Sequence, residues 1–231
     1  MSESDEPSIE EFSLSARINL YYDLRPGTSP DAPLLIALHG YGGNKRQMMH
    51  EALQFAPENF AVVSLQGFHQ HLKEPKELGG PLRFGFGWLS NYRPEESVQV
   101  HHEAINDVIQ TMTTKRMVNS KKVFLVGFSQ SCALNYRFAF TYPDTLRGVI
   151  GICGGIPGDW ETTKIYKRSH VATFHLAGLR DDIYPPERVH TYTDQLGTRS
   201  GDVSFKSYDA AHEIVPAMRT DIRDWLSRHG L

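Results

Sequence analysis

The chain has 231 residues, of which 40% are hydrophobic, and a formal net charge of −3. This length suits one large domain whose core needs no disulfide or metal to stabilise it. The near-neutral charge and the lack of a long basic run argue against a nucleic-acid partner. No stretch approaches the roughly 18 consecutive apolar residues of a membrane span, so we expect no span.

The first residues, 1–11, are acidic and polar, and they lack the basic and apolar regions of a signal peptide. We therefore expect a disordered tail over residues 1–11, followed by a single domain over residues 12–231. The two cysteines, Cys132 and Cys153, fall in or beside predicted core segments, which favours free buried thiols over a disulfide. Together these features predict a cytoplasmic protein.

Short apolar runs alternate with helical patterns along the chain. We predict strands at residues 12–23, 34–38, 60–65, 123–126, 146–153, 171–177 and 203–208, the first of them an antiparallel edge strand. Helices are predicted at 47–55, from 94 onward, at 132–139, from about 187 to 196 and at 214–229, and residues 66–86 are predicted as a long loop. This alternation predicts an α/β fold with a mostly parallel, twisted sheet covered by helices on both faces, and no large cap domain. Functional groups then belong at the C-terminal ends of the strands.

A strand, a tight turn and a helix follow one another in residues 121–133, KKVFLVGFSQSCA. The turn matches the nucleophile elbow G-x-S-x-G, with Ser129 at its tip and Ser131 in place of the last glycine. In such an elbow the serine hydroxyl rises above the sheet edge, and the main-chain N–H of the next residue, Gln130, faces a developing oxyanion. A serine in an ordinary strand-to-helix turn is the alternative that this motif leaves open.

Three glycines cluster in the segment His39-Gly40-Tyr41-Gly42-Gly43-Asn44, directly after a predicted strand. A phosphate loop is the competing interpretation, but no Gly-Lys-Ser/Thr follows and the G-x-G-x-x-G spacing is absent. The segment fits an oxyanion loop better, with the Tyr41 N–H as the second donor opposite Gln130. Further along, Trp88 either leans over a pocket mouth or packs on the surface of the sheet.

A serine nucleophile needs a base and a carboxylate that orients the base. His212 follows the last predicted strand, and Asp181 and Asp182 follow the strand before it. We choose Asp181 because it lies where the loop begins to leave the strand, whereas Asp182 is expected to face solvent or cap the turn. Asp209, three residues before His212, is a more distant candidate, and His175 is expected to be a packed core residue.

Paired histidines raise the question of a metal site. His101 and His102 are adjacent on a predicted helix, where their side chains point about 100° apart and cannot chelate one ion as an i, i+4 pair does. His69 and His71 make a similarly weak case. We therefore predict no metal and no other cofactor.

Taken together, these segments resemble the α/β-hydrolase superfamily, and within it the lidless phospholipase/carboxylesterase branch that includes acyl-protein thioesterases. The resemblance rests on HGYGGN at 39–44, FGFGWL at 84–89, GFSQS at 127–131, AGLRDDIYPP at 177–186 and AHEIVPAMRTDIRDWL at 211–226. It implies Ser129 as nucleophile, Asp181 as orienting acid and His212 as base, with Tyr41 and Gln130 as main-chain oxyanion donors. It also suggests that Trp88 borders the site, and Tyr184 is a second candidate pocket residue.

We accordingly expect a cofactor-free serine esterase that cleaves a small-molecule carboxylic ester, in the manner of a carboxylesterase or lysophospholipase, through an acyl-enzyme. A thioesterase or a peptidase with the same triad is an alternative. So is a hydrolase-fold binding protein without turnover, which labelling of Ser129 by a fluorophosphonate would distinguish from an enzyme. A metal-dependent hydrolase that uses the histidines is the last alternative, and a chelator would test it.

Overall fold

The computed structural model describes residues 9–75, 77 and 79–231, so most of the predicted tail, residues 1–8, lies outside the described residues. The strands are β1 (Tyr22–Arg25), β2 (Leu34–Leu38), β3 (Ala61–Leu65), β4 (His69–Lys73), β5 (Arg83–Gly87), β6 (Val123–Phe128), β7 (Gly148–Ile152), β8 (Ser169–Gly178) and β9 (Ser200–Tyr208). The helices are α1 (Lys45–Phe55), α2 (Pro94–Thr114), α3 (Gln130–Thr141), α4 (Pro186–Val189), α5 (Tyr192–Gly197) and α6 (Pro216–His229).

Seven of these strands form one sheet in the order β1-β3-β2-β6-β7-β8-β9. Only β1 is antiparallel to its neighbour, and the remaining pairs are parallel. All residues of β2, β3 and β7 are buried, which is why these strands read as continuous apolar runs. The sheet matches the predicted strands from residue 34 onward to within three residues at either end.

Helices cover both faces of the sheet. Because side chains alternate along a strand, Leu34 and Ile36 of β2 join one apolar cluster while Leu35 joins the other. The first cluster is completed by α2 and α3, through residues such as Ile105 and Leu134. The second is completed by α1 and α6. None of the helices in the described ranges is long and apolar enough to cross a membrane.

The predicted edge strand at residues 12–23 is wrong for most of its length. A strand forms only at Tyr22–Arg25, and Leu14 and Ile18 are exposed. The neighbouring strand β3 has five residues, and its antiparallel pairing with β1 covers only positions 62–65. The upstream alternation therefore has no strand to pair with.

The predicted loop at residues 66–86 instead contains an antiparallel hairpin, β4–β5, in which His69 pairs with Gly87 and Lys73 with Arg83. Along β4 the half-buried residues alternate with exposed ones, as in any strand with one covered face. The half-buried positions hold His69, His71 and Lys73, so the alternation carries no hydrophobic signal.

Candidate active site

Ser129 lies between β6 and α3 with φ 56° and ψ −115°, a left-handed conformation that costs a non-glycine residue about 1–3 kcal/mol. The surroundings hold it there, since its N–H donates to Ile152 O at 2.9 Å. The turn also requires Gly127, because a Cβ at that position would lie 2.8 Å from Asn135 Nδ2. The chain therefore turns sharply at Ser129, which is the single residue between the end of β6 and the start of α3.

Ser131, the departure from the elbow pattern, is fully buried. Its hydroxyl is 2.9 Å from Leu38 O and 3.0 Å from Phe128 O, so it can donate to either carbonyl. Leu38 is the last residue of β2 and leads directly into the 39–44 loop. Ser131 therefore does not obstruct the turn but connects the elbow to the strand that carries the loop.

The three side chains singled out from the sequence lie in one hydrogen-bonded row. His212 Nε2 is 2.9 Å from Ser129 Oγ, and His212 Nδ1 is 2.9 Å from Asp181 Oδ2. The second oxygen of Asp181 accepts the main-chain N–H groups of Ile183 and Tyr184, each at 2.9 Å. A carboxylate only accepts, so Nδ1 carries the imidazole proton and Nε2 is left to accept from the serine hydroxyl.

The acid in this row is ionised. Burial of the Asp181 side chain raises its pKa, but the hydrogen bonds from the Tyr184 N–H, His212 and the Ile183 N–H outweigh burial, and the net pKa lies below the ordinary value. The alternative acids lie elsewhere: Asp182 is exposed, and Asp209 pairs with an arginine. Of the acids considered from the sequence, only Asp181 is in reach of the imidazole.

Two aromatic rings pack against the imidazole of His212. The ring of Tyr184 lies 6.0 Å away between centroids, so this pocket candidate borders the row of side chains. The ring of Phe128 lies closer, at 4.9 Å, and was not singled out from the sequence. The only available signal for Phe128 is its position immediately before the serine in the elbow.

The glycine-rich loop runs against the serine. A Cβ on Gly40 would lie 2.9 Å from Phe128 Cδ1 and 3.1 Å from Ser129 Cβ, so only glycine allows this approach. Within the described part of the chain, the main-chain N–H groups of Tyr41 and Gln130 donate to no other protein group. Both are therefore available to a ligand beside the serine.

The hairpin β4–β5 holds this loop from outside. The Gly42 N–H donates to Phe86 O at 2.9 Å, and Lys73 Nζ donates to Gly42 O at 3.0 Å. The ring of Tyr41 stacks on that of His71, with centroids 4.3 Å apart and planes 5° apart. The segment predicted as an unstructured loop thus supports the loop that carries one of the two proposed donors.

Trp88 is fully buried, so it does not lean over a pocket mouth; it packs in the apolar cluster on one face of the sheet, which includes Leu38 of β2. Its indole N–H donates to His39 O and its main-chain N–H to the Gln130 side-chain oxygen, both at 2.8 Å. The prediction that Trp88 is a pocket residue is wrong in this respect. From the FGFGW pattern alone, a tryptophan that contacts substrate cannot be distinguished from one that binds the segments at His39 and Gln130.

Three further histidines lie in the core. His101 and His102 are buried, and burial lowers their pKa values to about 3 and about 4. His175, predicted as a core residue, is fully buried and hydrogen-bonded to the Tyr136 hydroxyl at 2.8 Å. Among the described residues, no three His, Cys, Asp or Glu side chains form a group that could hold a metal ion.

Comparison with known proteins gives both a curated relative and solved structures. Epoxide hydrolase B from Mycobacterium tuberculosis is 22% identical over 211 residues, which is 91% of this chain and 49% of that protein. The chain therefore spans about half the length of this relative. Among solved structures, esterase PE8 covers 93% of this chain and 100% of its own, with 20% identity and a TM-score of 0.70. Zea mays acyl-protein thioesterase 2 covers 90% of this chain and 98% of its own, with 18% identity and a TM-score of 0.66.

At these identities the solved structures establish the fold, and they confirm the predicted α/β-hydrolase fold. The family is established by the sequence itself. The sequence model of the family described as Phospholipase/Carboxylesterase matches residues 22–230, nearly the whole chain. The match includes every side chain of the site. The chain belongs to the phospholipase/carboxylesterase family of α/β-hydrolases.

Proposed function

We propose that this chain is a serine hydrolase that cleaves small-molecule carboxylic esters through an acyl-enzyme. The proposal is carried by the row from Asp181 through His212 to Ser129, with 2.9 Å at each link. Family membership and the esterase among the structures of the same fold support an ester as the substrate class.

The first step follows from the hydrogen bonds in this row. Ser129 Oγ attacks the carbonyl carbon while His212 Nε2 takes the hydroxyl proton, because a neutral hydroxyl is a poor nucleophile without a base. Asp181, ionised and fixed by two main-chain N–H groups, then stabilises the imidazolium and keeps it oriented. The product of this step is a tetrahedral intermediate with a negative carbonyl oxygen.

The main-chain N–H groups of Tyr41 and Gln130 would bind that oxygen. Gln130 is the first residue of α3, so the positive end of a 12-residue helix adds to its effect. Losing one such donor typically costs about 3–4 kcal/mol in the transition state. When the bond to the leaving oxygen breaks, His212 gives that oxygen its proton, and the alcohol departs.

Hydrolysis of the acyl-enzyme repeats the same sequence with water. His212 takes a proton from water as water attacks the acyl carbon, and returns it to Ser129 Oγ as the acid leaves. A thioester has the same acyl carbon and passes through the same acyl-enzyme. The relative rates with matched ester and thioester substrates therefore rank the two substrate classes.

The experiment is turnover of p-nitrophenyl acetate by the wild type and by Ser129→Ala, with labelling by a fluorophosphonate. We expect Ser129→Ala to lower kcat by at least about 10⁴-fold, to lose the label and to keep its far-UV circular dichroism. The control is Ser207→Ala, at an exposed position on β9, which keeps both activity and label. Near-normal turnover by Ser129→Ala, or a label on another residue, would contradict the assignment.

A further inference from the structure

A small apolar cavity of about 240 Å³ lies beside the proposed nucleophile. Its walls are the 39–43 loop, helix α1, Phe128 and Ile214. Phe128 immediately precedes Ser129, and Gly40, another wall residue, would bring a Cβ to 3.1 Å from Ser129 Cβ. Depressions of about 690 and 570 Å³ also occur on the surface, but neither is lined by the 39–44 loop or by a neighbour of Ser129, so their size carries no functional weight.

We propose that this cavity binds the alcohol half of the ester, an inference that rests on the proposed function. A tetrahedral intermediate on Ser129 has three further substituents: the oxyanion, the acyl chain and the leaving oxygen. The leaving oxygen must face His212 Nε2, because that nitrogen returns the proton. Phe128, whose ring is 4.9 Å from that of His212, and Ile214, two residues after it, both line the cavity.

The acyl half has a different place. The cavity wall includes neither Tyr184 nor any residue of α3, the helix whose first N–H is the Gln130 donor. With the alcohol half in the cavity, the acyl chain extends away from these walls.

Size and chemistry restrict the alcohol. An engineered cavity of about 150 Å³ holds benzene, so a cavity of about 240 Å³ holds a group of up to about ten non-hydrogen atoms. Met48, Phe128 and Ile214 supply apolar walls. Burial lowers the pKa of His39 to about 4, so this wall residue is neutral.

Charge restricts it further. Among the described residues that line the cavity, Glu51 is the only acidic or basic side chain besides the neutral His39. Arg219 donates to Glu51 Oε2 through Nε at 3.0 Å and Nη2 at 2.7 Å, but is not part of the wall. Glu51 is paired with Arg219, but among the described residues no lysine or arginine lines the cavity, so an anionic leaving group would lie beside a carboxylate with no cation to bind it. We therefore expect a neutral, apolar alcohol such as benzyl alcohol.

The test compares two ester series: acetates of methanol, butanol and benzyl alcohol, and methyl esters of increasing acyl length. Ile214→Trp narrows the cavity, and we expect the ratio of kcat/KM for benzyl acetate to that for methyl acetate to fall at least about tenfold. The acyl-length dependence should stay as in the wild type. Leu53→Trp, at an exposed position of α1 outside the cavity, is the matched control and should keep both ratios.

Several outcomes would overturn the inference. If Ile214→Trp changed the acyl-length dependence instead, the cavity would hold the acyl chain; if it changed neither ratio, the cavity would not be used. Should Ile214→Trp fail to fold, Ile214→Ala replaces it and must raise the preference for benzyl over methyl acetate. A wild type that hydrolyses no ester would remove the proposed function itself. If the wild type is active and its activity depends on Ser129, the proposed function holds, and the results with the Ile214 variants then test only the role of the cavity.

The charge restriction has its own arm. We expect 4-carboxybenzyl acetate to be at least about tenfold poorer than benzyl acetate, because its carboxylate would meet Glu51. Glu51→Gln should narrow that difference without changing the acyl-length dependence. Equal rates for the two substrates in the wild type would contradict a neutral leaving group.

Discussion

Acidification should unfold this protein at a pH where most of its carboxylates are still ionised. His39, His101, His102 and His175 are at most 7% exposed, and burial lowers their pKa values to about 4, 3, 4 and 3 respectively. In the unfolded chain a histidine titrates near pH ~6.5. Between these values the unfolded chain binds more protons than the folded one, so stability falls as the pH falls.

The magnitude follows from that difference. Each buried histidine contributes about 1.4 kcal/mol per pH unit between pH ~6.5 and pH ~4. At pH 5 each costs about 2 kcal/mol, and the four together cost about 8 kcal/mol, which rivals the whole stability of an ordinary domain at about 5–15 kcal/mol. Asp181, with its lowered pKa, stabilises the folded state above the unfolded value of ~3.9, and this contribution is lost only at lower pH.

Urea unfolding followed by far-UV circular dichroism at pH 7, 6 and 5 measures this loss. His102 packs between the rings of Phe138 and Tyr142, each 5.5 Å away, so His102→Phe removes one titrating group with little change of shape. We expect that variant to lose about 1.4 kcal/mol per pH unit of the slope. Replacing the exposed His170 by Gln should leave the slope unchanged. A free energy of unfolding that stays constant from pH 7 to pH 5 would refute the reasoning.

Three substitutions test the supports of the site. Asp181→Asn should lower kcat by about 10⁴-fold, because an amide no longer fixes the imidazole proton on Nδ1, while the exposed neighbour Asp182→Asn should be neutral; comparable losses would mean the wrong acid. Lys73→Met should lower kcat more than it raises KM, because the Gly42 carbonyl in the 39–44 loop loses its hydrogen-bond donor. Lys73→Arg, which keeps a donor, should have a higher kcat than Lys73→Met. An unchanged kcat in Lys73→Met would mean that this contact of the hairpin does not affect the reaction. Ser131→Ala should cost about 1–3 kcal/mol in urea unfolding, since the carbonyl that accepts from this buried hydroxyl, Leu38 O or Phe128 O, loses its donor; unchanged stability would show that the hydroxyl is dispensable.

The parallel sheet and the elbow could be predicted because local sequence determines them. Strands β2 and β6 are short apolar runs that end before His39 and before the turn at Ser129. Strands buried on both faces of a parallel sheet usually have this continuous apolar pattern in the sequence. The elbow adds a steric requirement, a small residue two positions before and two positions after the serine, that can be checked residue by residue. Strand-end placement of Asp181 and His212 then follows from the parallel topology, although the distances between them do not.

What could not be predicted depends on contacts between distant segments. The hairpin β4–β5 places polar side chains on its covered face, because that face meets the 39–44 loop and α2 instead of an apolar core. Lys73 donates to Gly42 O, His71 stacks on Tyr41, and His69 is 2.9 Å from Ser97 Oγ. Nothing in the sequence near Trp88 says that its two N–H groups have partners at His39 and Gln130. The cavity beside Phe128 could not be predicted either, because its walls come from segments that are distant in sequence: the loop after β2, helix α1 and Ile214.

Trp88 offers an optical readout of the site. It is one of three tryptophans, and replacing the other two, Trp160 and Trp225, by phenylalanine would leave a single emitting indole. Its indole N–H donates to His39 O, in the segment preceding Tyr41, and its main-chain N–H donates to the Gln130 side chain. A rearrangement that moves the segment preceding Tyr41 away from Trp88 must break the hydrogen bond of the fluorophore, so stopped-flow emission could time that movement during a single turnover.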